Sequence, residues 1–400
     1  MRDVDRRRIA LTANAAVFVN FLSYLGLTPL YAQVAHDLGV GAAGFGQFFL
    51  VQGVVSVALQ VPVGVLADRY GRRPIMIIGL LIMVTGQLLR WQAYNGWIFL
   101  AGQIAIGLCG PFIVSASYAL IADVYTRGRA RALGVLQASI NVGQGTGFLL
   151  AGLAAPWLGW RAYSLCVAVL PVLLLPLTAT QPDFKSPAAV ERSIGSSIVA
   201  ALRFLAVPAA TSIAIVAALN LGVGSGSTYL LPFLAAAHHV TPAVTSLLLI
   251  PYLVASVVGG PVAGAWADRS GVRLPALTCI GIMVGGLLGL AFLPYSIPAV
   301  AGCLAVIGAA TSGMLTLTAE AIVDLASRHG AGTGAAMGGI RIGQGLGPAL
   351  APAVLGFIFE DKGSTIAFVS MAAVMIVAAA LVVAATRSRP TPRAAGAGGP

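Results

Sequence analysis

The sequence predicts an all-α polytopic membrane protein: twelve transmembrane helices arranged as two pseudo-symmetric six-helix bundles. Three observations lead there. First, the segment Ala-Asp-Arg-x-Gly occurs at Ala67–Gly71 and again at Ala267–Gly271, 200 positions later in a chain of 400. At the same ungapped offset Asn20 matches Asn220, Gly26 matches Gly226, Thr28 matches Thr228, and Gly143-Gln144-Gly145-x-Gly147 matches Gly343-Gln344-Gly345-x-Gly347. The second half therefore copies the first, as duplicated membrane bundles do. Second, hydrophobic residues make up 58% of the chain and charged residues only 9%, far below the roughly 25% of soluble domains. Third, the apolar stretches have bilayer-spanning length, about 20 residues.

Cuts at clusters of charge, Pro or Gly give the spans in order. The first half holds 9–35, 41–67, 74–94, 97–123, 129–156 and 162–180. The second holds 204–236, 241–267, 274–294, 297–325, 331–358 and 364–386, of which 204–236 reads long. A β-barrel would need short alternating segments, and these are absent. The domain reading is a bundle over 1–180, a linker over 181–203, a second bundle over 204–386 and a Pro/Gly/Ala-rich, disordered tail over 387–400.

The basic residues set the orientation. With the N-terminus in the cytoplasm, 19 of the 23 Lys and Arg fall on that side, leaving Arg90, Arg161, Arg341 and Lys362. This bias places both termini in the cytoplasm. The net charge of +11 is thus a topology signal, and it sits in short loops rather than on a nucleic-acid-binding patch. The linker is too short for a domain, and no cleavable signal peptide is apparent. Cys109, Cys166, Cys279 and Cys303 lie singly within spans, and the four His show no HExxH-type spacing. No metal, no cofactor and no catalytic cluster is expected.

The stretch Gly-x-Leu-Ala-Asp-Arg-x-Gly-Arg-Arg, between the second and third spans, comprises Gly64, Leu66, Ala67, Asp68, Arg69, Gly71, Arg72 and Arg73. A weaker copy follows the eighth span, with Asp268 and Arg269. With twelve spans in two similar halves, this pattern resembles the major facilitator superfamily over nearly the whole chain. The resemblance implies alternating access, in which two six-helix bundles rock about a central cavity. It also implies a gating role for the motif, in which Asp68, Arg72 and Asp123 latch the halves in the outward-facing state. Physically, Gly64 would permit close helix approach and Gly71 a tight turn. Asp68 would accept hydrogen bonds at the membrane boundary. The alternative is that these charges only set topology.

Ionisable groups inside spans are costly and mark function. Glu320 lies in the tenth span, about 8 Å below its cytoplasmic end at 1.5 Å per residue. Arg341 lies near the middle of the eleventh, where its counterpart in the first half is Asn141. Arg341 could bind an anionic group or pair with Glu320. Asn20, Tyr24, Asn141, Gln144, Asn220 and Gln344 are further pathway candidates, since the resemblance implies that their spans line the cavity. Each could instead join helices.

Drug exporters of the superfamily carry Gly-x-x-x-Gly-Pro-x-x-Gly-Gly in the fifth span. This chain has Gly143, Gly147 and Gly152, with Phe148 and Ala151 as departures. The fourth span lacks the arginine associated with proton coupling: AGQIAIGLCGP contains no basic residue. The expectation is a secondary active transporter of the bacterial inner membrane, exporting small, largely apolar compounds. Its partners are a small-molecule substrate, protons as coupling ion and the lipid bilayer, with no nucleic acid; the chain acts as a monomer. The alternative is an importer or facilitator of a small, anionic metabolite.

Overall fold

The computed structural model describes residues 3–125, 129–181, 199, 203–328 and 333–387, among which there is no β-strand. The first span is helical over Asp3–Leu25, turns through a 3-10 segment at Thr28–Leu30 and resumes as Tyr31–Asp37. The second to fourth spans are Ala42–Tyr70, Arg72–Trp91 and Gly96–Val124. The run Arg129–Ala179 holds the fifth and sixth, divided at Gly159 with φ 69°. Next come Pro208–Ala237, Pro242–Ser270, Arg273–Phe292 and Ile297–Arg328. The run Thr333–Arg387 holds the last two, divided at Gly363 with φ 82°. Both dividing residues adopt a left-handed φ that only glycine takes without strain, so each reverses the chain in one residue.

Ten helical stretches among the described residues are long and apolar enough to cross a membrane. One of these, Gly339–Ala385, runs for 47 residues and therefore holds two crossings. The fifth span, with Asn141, Gln144 and a glycine series, is not among the ten; its interior is built for helix contact rather than for lipid. The expected linker and tail fall almost wholly outside the described residues.

Because successive spans alternate in direction, Asp3, Gly71, Gly271 and Arg387 lie at one face, here the terminal face, and Gly159 and Gly363 at the other, the distal face. Within each half the same contacts recur. A Cβ at Gly143 would run into the Phe18 carbonyl, and one at Gly343 into the Ala214 carbonyl. The fifth span thus packs backbone to backbone on the first, and the eleventh on the seventh, as small residues allow in membranes. Between halves the second span packs on the eleventh and the fifth on the eighth. One expectation is corrected here. A Cβ at Gly64 would meet nothing within 4 Å, so this glycine mediates no close approach. Gly71, with φ 105°, does need the conformation expected of it, and its counterpart Gly271, with φ 73°, takes it too.

Candidate functional site

The halves meet at the distal face through aromatic rings from both. Tyr31 lies 4.9 Å from Phe49 and 6.0 Å from Tyr229, centroid to centroid, and Phe49 lies 5.7 Å from Tyr229. Phe45 and Phe359 both approach Phe233, each at 6.3 Å. The Tyr229 hydroxyl donates to the Ala42 carbonyl across the interface. Such pairs add attraction beyond the area they bury. Glycines tighten the same end: Gly46 abuts Pro352, Gly356 abuts Ala42, and Gly152 abuts Ser246. Toward the terminal face, among the described residues, the glycines make no such contact between the halves. Gly64 of the second span and Gly134 of the fifth face open space, and Gly264 of the eighth meets only Thr316 of its own half. The two halves are sealed distally and part toward the terminal face.

Arg341 stands in that gap. It is exposed on the eleventh span, and its guanidinium lies over the Tyr118 ring of the fourth span, 5.9 Å from the centroid. Together with Val57, Gln60, Val114, Ser115 and Ile342 the pair lines a cavity of about 240 Å³ between the halves. The Tyr118 hydroxyl donates to Gln137 Oε1 of the fifth span at 2.7 Å. This arrangement presents one permanent cation, a ring face and two polar side chains, Gln60 and Ser115, among aliphatic walls. A larger cavity, about 380 Å³, lies wholly inside the second half and includes Val216, Val272, Leu317 and Asp324. None of the predicted pathway residues lines it.

The loop motif is built as a cluster at the terminal face. Arg72 is buried, 4% exposed, and its Nη2 lies 3.3 Å from Asp123 Oδ2. Arg73 donates to the Gln181 carbonyl at 3.3 Å, so the motif also ties the end of the sixth span. Arg69 is exposed and lies over the Tyr70 ring at 5.6 Å. The side chain of Asp68 lies outside the described residues. Asp268 and Arg269 of the second copy are both exposed.

Three pathway expectations are corrected. Asn20 and Asn220, both 2% exposed or less, do not line the gap. Asn20 accepts from the Cys109 thiol at 3.5 Å, and Asn220 donates to the Thr311 carbonyl at 3.0 Å. Each joins two helices of its own half, as polar side chains do between membrane helices. Arg341 stacks on Tyr118 rather than pairing with Glu320. Glu320 itself is exposed rather than desolvated. Tyr24, Asn141, Gln144 and Gln344 are half-buried.

Sequence reasoning missed the most buried charge. Arg90, counted only among the four basic residues off the cytoplasmic side, is 1% exposed and sits inside the first half. Its Nη1 donates to the Ser23 carbonyl at 2.9 Å and its Nη2 to Gln103 Oε1. The signal was present: Arg90 breaks the repeat against Leu290, as Arg341 does against Asn141. Gln52 is fully buried beside Gly107, and neither amide atom is hydrogen-bonded.

Comparisons with known proteins agree with this architecture. The family model described as Major Facilitator Superfamily matches residues 13–229 and 213–400. Multidrug resistance protein 2 of Bacillus subtilis is 26% identical over 178 residues, covering 43% of this chain and 44% of that protein. The chain thus aligns with less than half the length of that relative. Multidrug resistance protein Stp of Mycobacterium tuberculosis is 22% identical over 87% of this chain and 75% of its own. A bacterial homologue of the human lysosomal transporter Spinster, solved in an inward-facing and occupied conformation, superposes with a TM-score of 0.77. Its identity is 18%, and the match covers 97% of this chain and 98% of that one. The nucleoside transporter NupG superposes with a TM-score of 0.76 at 15% identity, over 94% and 100%. At these identities the structures speak for the fold alone.

Proposed function

The chain belongs to the major facilitator superfamily, and we propose that it exports small, largely apolar compounds in exchange for protons. The observation that carries this reading is the gap between the halves, closed at the distal face and walled mainly by aliphatic and aromatic side chains. The drug-resistance names of its relatives support it. The terminal face is the cytoplasmic one, by the basic bias, in the inner membrane of a bacterium. The two bundles, 1–180 and 204–386, rock as units of one monomer. The conformation described is then inward-facing. Glu320, exposed in this state, is where an exporter releases its proton to the cytoplasm; distal opening would load it. The test uses inverted vesicles with an imposed pH gradient. Glu320→Gln should abolish gradient-driven movement yet retain substrate exchange; full proton-driven activity would exclude it as the carrier. Single cysteines at Asp361 or His239 should react with impermeant reagents from outside, and those at Arg72 or Arg269 only from the cytoplasm.

A second reading has its own observation. Arg341 is the cation that lines the cavity between the halves among the described residues, and it favours a substrate with an anionic group. Neutral and anionic versions of one compound, compared in the same vesicles, separate the two readings.

A further inference from the structure

The first and seventh spans are repeat counterparts, yet only the first is broken. The seventh runs as one helix, Pro208–Ala237, straight through Gly226 and Thr228, the counterparts of Gly26 and Thr28. Glycine and threonine at these places therefore do not break a helix. Among the other positions that differ, Pro29, Gln87, Arg90 and Gln103 stand opposite Tyr229, Leu287, Leu290 and Cys303. All four bear on the break. Pro29 has no N–H to give the Leu25 carbonyl, which accepts from the Thr28 hydroxyl instead at 2.6 Å. The Ser23 carbonyl, in the last turn of Asp3–Leu25, accepts from both Arg90 Nη1 at 2.9 Å and Gln87 Nε2 at 3.2 Å. Gln103 of the fourth span holds the other arm of the guanidinium.

No carboxylate pairs with Arg90 among the described residues. The group that offsets its charge is the carbonyl end of the first helix, which carries partial negative charge. A cation held this way inside a span is expensive, and Leu290 shows that the fold can fill the place with an apolar side chain. What the expense secures is the shape of the first span. Past the break, the chain carries Tyr31 into the distal seal, against Phe45, Phe49 and Tyr229. Tyr31 sits eight residues after Ser23 in sequence, and its position follows from the angle at which the chain leaves Leu25.

We infer that Arg90 is a positioning residue of the transport cycle: by capping the broken first span it holds Tyr31 in the distal seal, and so sets how readily that side opens. Gln103 holds Arg90 in place, and Gln87 shares the Ser23 carbonyl with it. The second half does without such a cap, because Tyr229 rides on an unbroken helix.

The test measures opening directly and needs no substrate. The protein is purified into lipid nanodiscs with Cys109, Cys166, Cys279 and Cys303 replaced by Ala. A single reporter, Ala353→Cys, sits buried in the distal seal beside Gly46. Its reaction rate with a soluble maleimide reports the open population. Arg90→Gln should speed labelling about tenfold, and Arg90→Lys, which keeps the charge on one donor, should recover most of the slow rate. Gln87→Leu should give a smaller rise. A brace unconnected to the seal would lower the unfolding temperature of Arg90→Gln and leave the labelling of folded protein unchanged; that result overturns the inference. If Arg90→Gln does not assemble, Gln87→Leu and Gln103→Leu decide it, and wild-type labelling rates in both would overturn it equally.

Discussion

The two halves of this chain share a set of glycines, among them Gly26 and Gly226, Gly71 and Gly271, and Gly143 and Gly343, and spend their charges in opposite ways. The first half buries charged and strongly polar groups: Arg72 and Arg90, with Gln52, Gln87 and Gln103. The second half puts Val272, Leu290, Tyr252, Leu287 and Cys303 at those five positions. Its own breaks with the repeat go outward. Glu320 is exposed where Leu120 is buried, and Arg341 is exposed where Asn141 is half-buried. Shared glycines set helix approach, which both halves need equally. Diverged charges do what only one half must do: in the first they fix helix ends and loops, and in the second Arg341 stands in the gap between the bundles. A repeat protein thus contains its own control, since each charge can be compared with what the same scaffold does without it.

The largest effect should come from breaking what is shared. Gly143→Val and Gly343→Val each drive a side chain into a facing backbone carbonyl. Overpacking of side chains costs about 1–3 kcal/mol, and backbone yields less, so each should exceed that range. Both variants should lose most folded protein on detergent extraction, to a similar extent. A tolerated Gly343→Val beside a lethal Gly143→Val would mean that the halves are not packed by one rule.

The next effect should separate the two loop motifs. Asp68→Asn should cut transport about tenfold or more while leaving insertion intact, within the range of couplings between distant sites. Asp268→Asn should cost less than about threefold, because Val272 stands where Arg72 joins the first copy to Asp123. Equal losses in initial-rate assays would remove the asymmetry of the motifs. Asp123→Asn tests the pair itself. It takes one charge partner from a buried guanidinium, and Asp123 is itself 40% exposed. The cost should therefore fall between that of a surface and a buried pair, roughly 1–3 kcal/mol by thermal unfolding. Arg72→Val, which copies the second half, should cost less than Asp123→Asn, since it removes the buried charge itself.

Much of this was legible in the sequence because membranes leave the backbone few options. Composition, span length and the repeat at 200 positions gave the class and the twelve crossings. The turn glycines were legible too: Gly71 and Gly271 adopt the left-handed φ that a one-residue turn demands. Which polar residues face the gap was not legible. Asn20 and Asn220 recur at the repeat offset, and that recurrence marks packing rather than transport, since both tie helices within their own half. Arg90 lies one position before the end of its helix, Arg72–Trp91, where a charge reads as a span end; only the geometry shows it turned inward to the first helix. The partner of Arg341 was missed for a similar reason. Tyr118 belongs to the other half, and no spacing in the chain relates two bundles that meet only in space.

The smallest expected effect is the most discriminating, because Arg341 is the point where the repeat breaks by a charge inside the gap. Arg341→Asn restores the first half's residue at that position. The guanidinium is exposed and already faces an aromatic ring, so its removal strands no buried carboxylate and stability should hardly change. A substrate carboxylate bound there would lose a charge-assisted hydrogen bond, worth about 1.5–3 kcal/mol, or roughly tenfold or more in KM. A neutral analogue of the same size rests on the aliphatic walls of Val57, Val114 and Ile342 and should change KM less than about twofold. Paired measurements on one acid and its amide therefore read the site. A rise confined to the acid assigns Arg341 to anionic substrates and favours the second functional reading. Equal, small changes for both leave the walls as the recognition surface and favour export of apolar compounds. Equal and large losses would say instead that the Arg341–Tyr118 contact closes the gap during the cycle. The charge would then belong with Arg72 and Arg90 as part of the moving frame.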